Sequence, residues 1–342
     1  MVQNTIEQKQ RSILVLGATG GVGGAVARAF NSAGFHVKAL SRNPERHRER
    51  FPDYAWIAGD AMCREAVAKA ATGADFIFHG VNPPEYRDWD KLVLPMLEST
   101  IAAAKAHNAR ILFPGTVYNF GPDVFPSPAE DSPQTAKTRK GRIRILMEER
   151  LRDVAWEGTQ VVLVRAGDFF GSGTGAGNSW FAQMIRPGKS LKAVTKLSAA
   201  GVGHQWAYLP DLAETFVRLA ERSDDLPSHN VFHFEGFWDR DGEQMIAAIR
   251  RASAQPQLKV RHFPWFLVPL LSPFVPIMRE IREIRYLWRQ PLHMQNEKLV
   301  AVLGEEPRTP IDLAVRATLE AYRCLPASEL QSSKIKAQAR TA

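Results

Sequence analysis

The chain has 342 residues, of which 45% are hydrophobic, and a formal net charge of +8 at pH 7. That length predicts one large domain with an appendage, or two domains, and that apolar share is sufficient for a large buried core. Its two cysteines, Cys63 and Cys324, are too few and too far apart for a disulfide framework. A small disulfide-stabilised secreted protein is therefore excluded, and a reducing, cytoplasmic location is expected.

Strands alternate with helices through the first half of the chain. Short apolar strands are predicted at residues 12–16, 36–40, 55–59, 74–80, 110–115 and 160–165, and helices between them include 89–107 and 140–156. Because parallel strands need crossover helices, this alternation predicts an α/β fold with a Rossmann-type, doubly wound parallel sheet. Prolines through residues 114–140 predict a long loop, and such a loop in a compact domain is usually functional.

The segment GATGGVGG, residues 17–24, joins the first strand to the first helix. Gly17 permits a tight turn, Gly20 lets the backbone approach a pyrophosphate, and Gly23 lets the helix pack closely on the sheet. The free amides at the start of the helix would then face the phosphates. The residues expected to hold a dinucleotide in this turn are Gly17, Thr19, Gly20, Gly21, Val22 and Gly23.

The ends of the next strands indicate which dinucleotide is bound. A cation, Arg42, follows the second strand where an acidic residue would meet a free ribose 2′-hydroxyl, so NADP(H) is favoured and NAD(H) stays the alternative. Asp60 and Ala61 follow the third strand, where an Asp can bond the adenine amine. His79 and Gly80 close the fourth strand and are expected beside the adenine ribose and pyrophosphate, although a structural role for His79 is also open.

After residue 165 the periodic pattern loosens. Residues 12–185 are predicted to form the dinucleotide-binding domain, and 186–325 a smaller C-terminal substrate lobe that can return strands or helices to the first core. Residues 1–11 are expected to be a flexible N-terminus, and the polar residues 326–342 a disordered tail.

The apolar stretch at residues 263–277, FPWFLVPLLSPFVPI, is shorter than a membrane-spanning helix and is interrupted by four prolines. Core packing is the favoured interpretation. A hydrophobic substrate channel, a homodimer contact and a membrane-surface patch stay open, the last because Arg279, Arg282 and Arg285 lie nearby.

The sequence resembles the extended and atypical short-chain dehydrogenase/reductases, the NAD(P)-dependent epimerase/dehydratase family. The segments that carry the resemblance are collinear and include GATGGVGG, GDA, ADFIFHGVNPP, TVYNFGP, KGRIRILMEE, LVRAGDFFGSG and WAYLPDLAE. The resemblance implies a Rossmann domain with a smaller C-terminal lobe and an NAD(P)-dependent oxidoreductase or epimerase/dehydratase reaction. It also puts residues 178–181 and 203–208 at the substrate cleft, where buried core aromatics are the alternative.

In that family a Ser or Thr, a Tyr and a Lys form the catalytic set, with the Tyr as the acid/base and the Lys holding the nicotinamide ribose. Alignment on Glu148 puts Lys140 at the Tyr position and Arg144 at the Lys position. It puts Pro114 at the Ser position, with Thr116 two residues later. The resemblance therefore implies a degenerate catalytic motif.

Three interpretations of this altered helix stay open. In the first, the chain is an enzyme in which Lys140, with a lowered pKa, moves the proton and Arg144 holds ribose or phosphate, next to Tyr118 and Thr116; Asp168 is another candidate acid/base. In the second, the chain is a non-catalytic NADP(H)-binding redox sensor. In the third, the charged residues one turn apart form an exposed, salt-bridged helix face.

The sequence thus predicts an oxidoreductase or epimerase/dehydratase-like enzyme for a carbonyl or hydroxyl group of a small substrate. The two cations at positions 140 and 144 favour an anionic or sugar-nucleotide-like substrate. Nucleic acid is not expected as a partner, because no basic stripe with interleaved aromatics is present. No metal is expected, because no Cys/His cluster has the spacing of metal ligands.

Overall fold

A seven-stranded parallel sheet forms the centre of the computed structural model, which describes residues 10–83, 89–171 and 179–325. The strands are β1 Ser12–Leu16, β2 His36–Ser41, β3 Ala55–Ala58, β4 Phe76–His79, β5 Arg110–Gly115, β6 Val161–Ala166, β7 Asp168–Phe170, β8 Ala193–Lys196, β9 His204–Tyr208, β10 His229–Phe234, β11 Phe237–Asp239 and β12 Lys259–His262. The predictions for residues 1–9, Asn178 and 326–342 lie outside the described residues.

Twelve helices accompany these strands in the described part of the chain. They are α1 Gly21–Ser32, α2 Glu45–Arg48, α3 Arg64–Ala71, α4 Trp89–His107, α5 Arg139–Trp156, α6 Trp180–Met184, α7 Leu209–Glu221, α8 Gln244–Ala252, α9 Leu267–Leu271, α10 Pro276–Ile284, α11 Glu297–Leu303 and α12 Ile311–Ala321. None of them combines the length and the apolar character needed to cross a bilayer. The predicted long loop lies between β5 and α5 and contains one short 3₁₀ turn, Pro122–Val124.

The strand order of the central sheet is β10-β6-β5-β4-β1-β2-β3, and every neighbouring pair is parallel. The order reverses between β1 and β4, so the connections on the two sides of that point leave in opposite directions. A crevice opens at the carboxyl ends of strands at such a switch point, and ligands of open α/β sheets bind there. The prediction of a doubly wound, Rossmann-type sheet is confirmed.

Helices cover both faces of this sheet. Because successive side chains of a strand point to opposite faces, Ile13 and Val15 of β1 pack in the layer under α1 and α7. Leu14 and Leu16 pack in the layer under α3, α4 and α5. The near-continuous apolar sequences of β1 and β6 follow from this double coverage, since both faces of each strand are buried.

The rest of the chain builds a smaller lobe and also returns to the central sheet. Two small sheets, β11-β9-β7 and β12-β8, surround a separate apolar cluster in the lobe. In contrast, β10 pairs with β6, and α7 packs against α1. The sequence prediction missed β10 as the seventh strand, because His229, Asn230 and His233 interrupt its apolar pattern at the edge of the sheet.

Only part of the apolar stretch at 263–277 packs against the core. Phe263 and Trp265 pack against the apolar cluster of the lobe and Val268 is buried, whereas the larger apolar residues of 266–274 are exposed, so the core-packing interpretation is wrong for 266–274. The exposed ones are Phe266, Leu267, Leu270, Leu271 and Phe274.

Because β10 is buried, substitutions of a phenylalanine in β10 and of an exposed phenylalanine should differ greatly in their effect on stability. Phe232 in β10 is 0% exposed and Phe274 is 83% exposed. Phe232→Ala is expected to lower the free energy of unfolding by about 3 to 5 kcal/mol, because it removes buried contacts and leaves a cavity. Phe274→Ala, the matched control, should change it by less than about 0.5 kcal/mol. Urea titration followed by far-UV circular dichroism measures both, and equal effects would contradict the assignment of β10 to the core.

Candidate functional site

The glycine turn after β1 has two glycines that the fold itself requires. Gly17 has a φ of +87°, in the left-handed region, and its carbonyl accepts a hydrogen bond of 2.9 Å from Gly20 N. A Cβ added at Gly17 would lie 2.4 Å from the carbonyl oxygen of Gly80. A Cβ added at Gly23 would lie 2.3 Å from the carbonyl oxygen of Gly17. These contacts bring β1, the start of α1 and the end of β4 together.

Packing within the protein does not require glycine at positions 20 and 21, in contrast to positions 17 and 23. At Gly21 an added Cβ would meet only Leu209 Cδ1, at 3.7 Å, and at Gly20 only the Gly17 carbonyl oxygen, at 3.3 Å. Gly20 is the N-cap of α1, and no acidic residue follows in the first turn. The amides of this turn are therefore open to an external anion. This open approach fits a dinucleotide pyrophosphate, which needs a backbone without side chains close to it.

The other predicted cofactor residues follow the carboxyl ends of β2, β3 and β4, at the same edge of the sheet as the glycine turn. Arg42 is exposed after β2. Asp60 accepts a hydrogen bond of 2.9 Å from Met62 N through Oδ1, which fixes its carboxylate, and Ala61 beside it is buried. Gly80 donates its N–H to the Leu16 carbonyl over 2.9 Å, which extends the pairing of β4 with β1.

His79 occupies a buried position. Its Nδ1 lies 2.7 Å from Thr100 Oγ1 on α4, and its ring stacks on Phe113 with the centroids 5.7 Å apart. Burial, with a smaller contribution from the Arg144 charge, lowers the pKa of His79 to about 3, so the ring is neutral. Within the described residues its Nε2 has no hydrogen-bond partner. These contacts fit the structural interpretation of His79.

Helix α5 turns the face that carries Lys140 and Glu148 inward, so the interpretation of an exposed salt-bridged face is wrong. Glu148 does not pair with its helical neighbour. It forms a buried ion pair with Arg165 of β6, with 2.7 Å between Nη2 and Oε2, and accepts a further bond of 3.0 Å from Gln134. The pair ties α5 to the sheet and to the preceding loop.

Lys140 contacts a helix about 140 residues later in the chain. Its Nζ lies 2.8 Å from Glu280 Oε2 on α10, and its backbone N–H donates to Glu283 Oε1 over 2.9 Å. The side chain is only 1% exposed. Burial lowers the pKa of Lys140, and the Glu280 carboxylate opposes that shift most strongly. The sequence analysis expected a lowered pKa for Lys140, and burial is its largest cause in the structure.

Sequence reasoning missed Glu280 and Glu283 as neighbours of Lys140. Their alternation with arginines in REIREIR is typical of an exposed helix. Instead, α10 covers the start of α5, and Arg139 adds a contact of 3.1 Å to Glu280. Residues about 140 positions apart produce no local sequence pattern, so only the fold reveals the contact of Lys140 with Glu280 and Glu283.

Arg144 lies one turn after Lys140, near the ends of β4 and β5. Its Nη1 lies 3.5 Å from the Pro114 carbonyl oxygen. Its guanidinium carbon lies 5.2 Å from the ring of Trp89 and 5.8 Å from that of Phe113. A guanidinium held over aromatic faces keeps its charge and its planar set of donors.

The loop after β5 brings Thr116 and Tyr118 against α5. Tyr118 N donates to Thr116 Oγ1 over 3.3 Å, and Thr116 Oγ1 donates to Asn119 Oδ1 over 3.4 Å. A Cβ added at Gly141 would lie 2.2 Å from the Tyr118 carbonyl oxygen, so the loop presses directly on the first turn of α5. Asp168 in β7, the other candidate acid/base, has its Oδ2 2.8 Å from His204 Nε2.

The lobe contains a cavity of about 590 Å³ beside the start of α7. Tyr208, from the predicted cleft residues 203–208, lines it together with Phe170 and Trp238. Arg240 and Arg308 also line it, and the sequence analysis did not single them out; Arg308 is paired with Glu235 and Glu306. Trp238 is stacked on His293 with ring centroids 4.6 Å apart. Aromatic faces and guanidinium groups in one cavity suit a flat, anionic ligand.

Several solved structures share this fold. A putative epimerase from Burkholderia cenocepacia J2315 has a TM-score of 0.73 and 18% identity, covering 92% of this chain and 98% of that chain. A nucleoside-diphosphate-sugar epimerase from Pseudomonas aeruginosa has a TM-score of 0.66 and 19% identity, covering 92% and 97%. The UDP-glucose 4-epimerase from Bifidobacterium longum, solved with NAD⁺ and UDP, has a TM-score of 0.67 and 17% identity, covering 91% and 98%.

Sequence comparison identifies the family. No curated protein sequence matches this chain significantly. The family model described as "NAD dependent epimerase/dehydratase family" matches residues 13–233, which is more than half of the chain and includes the glycine turn and α5. The predicted resemblance is confirmed, and this chain belongs to the NAD-dependent epimerase/dehydratase family of enzymes.

Proposed function

We propose that this chain is an NADP(H)-dependent enzyme that oxidises or reduces a carbon carrying a hydroxyl or carbonyl group on a small anionic substrate. The observation that carries the proposal is the inward face of α5, on which Lys140 and Arg144 lie one turn apart. That face meets the carboxyl edge of the sheet, which also carries the open glycine turn. A cofactor site at this edge, with Arg144 near it and Lys140 one helical turn away at the contact with α10, supports redox chemistry on an anionic substrate.

The cofactor would be held by the chain's own backbone and by one cation. The first-turn amides beginning at Gly21 would bind the pyrophosphate, and Arg42 would meet a ribose 2′-phosphate. When bound, a nicotinamide dinucleotide supplies hydride transfer to or from a substrate carbon. NAD(H) stays the alternative, since the Bifidobacterium epimerase was solved with NAD⁺.

Lys140 is the proposed acid/base. Reduction of a carbonyl requires a proton at the oxygen, and oxidation of a hydroxyl requires its removal. An ammonium with a pKa lowered by burial transfers a proton more readily near neutral pH than an exposed lysine does. Glu280 is proposed as its positioning partner, because it fixes Nζ at 2.8 Å. Arg144 would hold ribose or phosphate as a fixed cation.

The substrate class follows from the lobe cavity. Arg240 offers donors to a phosphate or carboxylate, and Tyr208 and Trp238 offer faces for a planar ring. Arg308 also lines the cavity, but it is paired with Glu235 and Glu306. A sugar-nucleotide-like substrate combines both groups, and UDP is present in the Bifidobacterium structure.

A second candidate function is a dinucleotide-binding redox sensor without turnover. One observation favours it: the Lys140 side chain is buried under α10 and paired with Glu280. A lysine that never leaves this pair would not reach a substrate. The two candidate functions differ in whether a substrate changes the redox state of the bound cofactor.

Release of bound nucleotide from the freshly purified protein tests the proposed function first. Denaturation followed by chromatography is expected to yield NADP⁺ or NADPH, and added NADPH should be consumed in the presence of some member of a panel of carbonyl compounds and sugar nucleotides. Tightly held NAD⁺ would contradict the role of Arg42. Nucleotide binding without turnover on any substrate would favour the sensor, and no binding at all would remove both candidates.

Substitution of Gly20 by Asp separates cofactor binding from folding. Asp is a good N-cap, so the melting temperature should stay the same or rise. Its carboxylate would occupy the anion position and repel the pyrophosphate, so the Kd for NADPH should rise about tenfold or more, equivalent to at least about 1.4 kcal/mol. Gly20→Ser is the matched control for an uncharged cap. Titration by NADPH fluorescence measures both, and unchanged affinity in Gly20→Asp would contradict this cofactor site.

Because Lys140 pairs with Glu280, the stability of a Glu280→Ala variant should depend on pH. In Glu280→Ala the pKa of Lys140 falls further, so the unfolded chain, with a lysine pKa of about 10.4, binds more protons than the folded one below that pH. Stability of the variant therefore rises with pH in this window. The variant should lose about 3 kcal/mol near pH 7, and the loss should shrink towards pH 10.

Urea titrations at pH 7, 8 and 9 measure this change. The matched control is Glu45→Ala, which removes a carboxylate from an exposed pair with Arg48 and should have little effect at any of these pH values. A loss in Glu280→Ala that does not depend on pH would show that Lys140 is not the group affected.

A further inference from the structure

A continuous apolar surface stands out on the lobe. The residues that form it, here called the apolar ridge, are Phe266, Leu267, Leu270, Leu271 and Phe274, which are 70%, 37%, 66%, 39% and 83% exposed. Single exposed apolar residues are ordinary, but a contiguous group of large ones marks an interaction surface.

The apolar ridge is held in place from below. Val268 between its members is buried, and Trp265 Nε1 donates to the Leu197 carbonyl over 2.8 Å. Ser272 N donates to the Val268 carbonyl over 2.9 Å, and Arg282 Nη1 donates to Ser272 Oγ over 3.4 Å. The ridge therefore presents its apolar side chains outward from an anchored base, rather than as a frayed end.

Cations lie close to the apolar ridge in the sequence. Residues 259–289 contain six Lys or Arg and only two acidic residues, Glu280 and Glu283. Both glutamates are turned to α5, where they contact Lys140. The exposed cations of this segment are Lys259, Arg261, Arg279, Arg282 and Arg289, and Arg282 bonds to Ser272 beneath the ridge. A partner that covers the ridge thus meets an apolar strip bordered by positive charge.

A small cavity lined by Trp265, which directly precedes the ridge, also combines cationic and apolar side chains. It measures about 200 Å³ and is lined by Lys196, His262, Arg285 and Arg289 with aromatic neighbours that include Trp265. The guanidinium carbon of Arg285 lies 5.8 Å from the Trp265 ring. Cationic donors next to an apolar surface suit a ligand with an anionic head and an apolar body.

We propose that the apolar ridge docks on the surface of an anionic lipid bilayer. Its Phe and Leu side chains enter the boundary between headgroups and acyl chains, and the bordering cations meet lipid phosphates. Helix α9 has five residues, far too few to cross a bilayer, so the contact is peripheral.

Charge argues for lipid over a second copy of the chain. In a two-fold dimer the same patch faces itself, so the cations around one ridge would approach those around the other. Like charges across an interface disfavour association, whereas an anionic surface is attracted to the same cations. The net charge of +8 adds to that attraction.

Vesicle sedimentation with the full chain tests the proposal. The protein is expected to sediment with vesicles of phosphatidylcholine that contain about 30% phosphatidylglycerol, and at least about tenfold less with pure phosphatidylcholine. About 0.5 M salt should weaken the binding, because it screens the charges. Inorganic phosphate at millimolar concentration should not compete. Absence of sedimentation with anionic vesicles, or equal binding to both compositions, would overturn the proposal.

Two sets of variants assign the binding to the apolar ridge. The triple variant Phe266→Ser, Leu270→Ser and Phe274→Ser changes only exposed side chains and should lose about tenfold or more of the binding at an unchanged melting temperature. The matched control replaces exposed apolar residues elsewhere, Trp156→Ser and Leu313→Ser, and should bind as the wild type does.

The oligomeric state tests the alternative that a second copy of the chain covers the apolar ridge. Analytical ultracentrifugation without lipid is expected to give the same mass for the wild type and the triple variant. A wild-type dimer that the triple substitution converts to a monomer would assign the ridge to a second copy and overturn the lipid proposal. The lipid proposal would also be overturned if the triple variant bound vesicles as strongly as the wild type does.

Discussion

The buried ion pair between Glu148 and Arg165 is the interaction on which the geometry of the candidate site depends. Arg165 also donates to the carbonyl of Glu130 over 3.0 Å and contacts His233 Nε2 at 3.2 Å. One guanidinium thus joins α5, β6, the long loop and β10. Two charges removed from water are tolerated only when each is fully hydrogen-bonded, so this pair permits little rotation of α5 about its axis.

A fixed rotation of α5 determines where its charged residues lie. Residues four apart share a helix face, so the inward turn of Glu148 carries Arg144 and Lys140 inward as well. Arg144 then meets aromatic faces at the ends of β4 and β5, whereas Lys140, one turn earlier, meets α10. The same helix therefore supplies one cation to the cofactor edge of the sheet and another to the contact with the lobe.

The sequence predicted what local periodicity and turn chemistry control. The β1–α1 turn follows from glycines whose added Cβ atoms would clash within the turn or with β4, and those glycines are visible in the sequence. The seventh strand was missed because half of β10 is polar at a sheet edge. The partners of Lys140 were missed because Glu280 is distant in sequence, and the burial of a charged face cannot be read from its charges. The exposure of the large apolar residues in 266–274 was mispredicted because composition alone favours burial of such a stretch.

Helix α10 connects the two proposals physically. Its Glu280 and Glu283 hold the start of α5, and its Arg282 bonds to Ser272 within the apolar ridge. Displacement of α10 would therefore remove the Glu280 carboxylate from Lys140 and would also loosen the ridge. A substrate that reaches Lys140 must either fit beside α10 or compensate for the lost ion pair with an anionic group of its own. The second route favours an anionic substrate, because only a negative group can replace the Glu280 carboxylate at Nζ without leaving a buried charge unpaired.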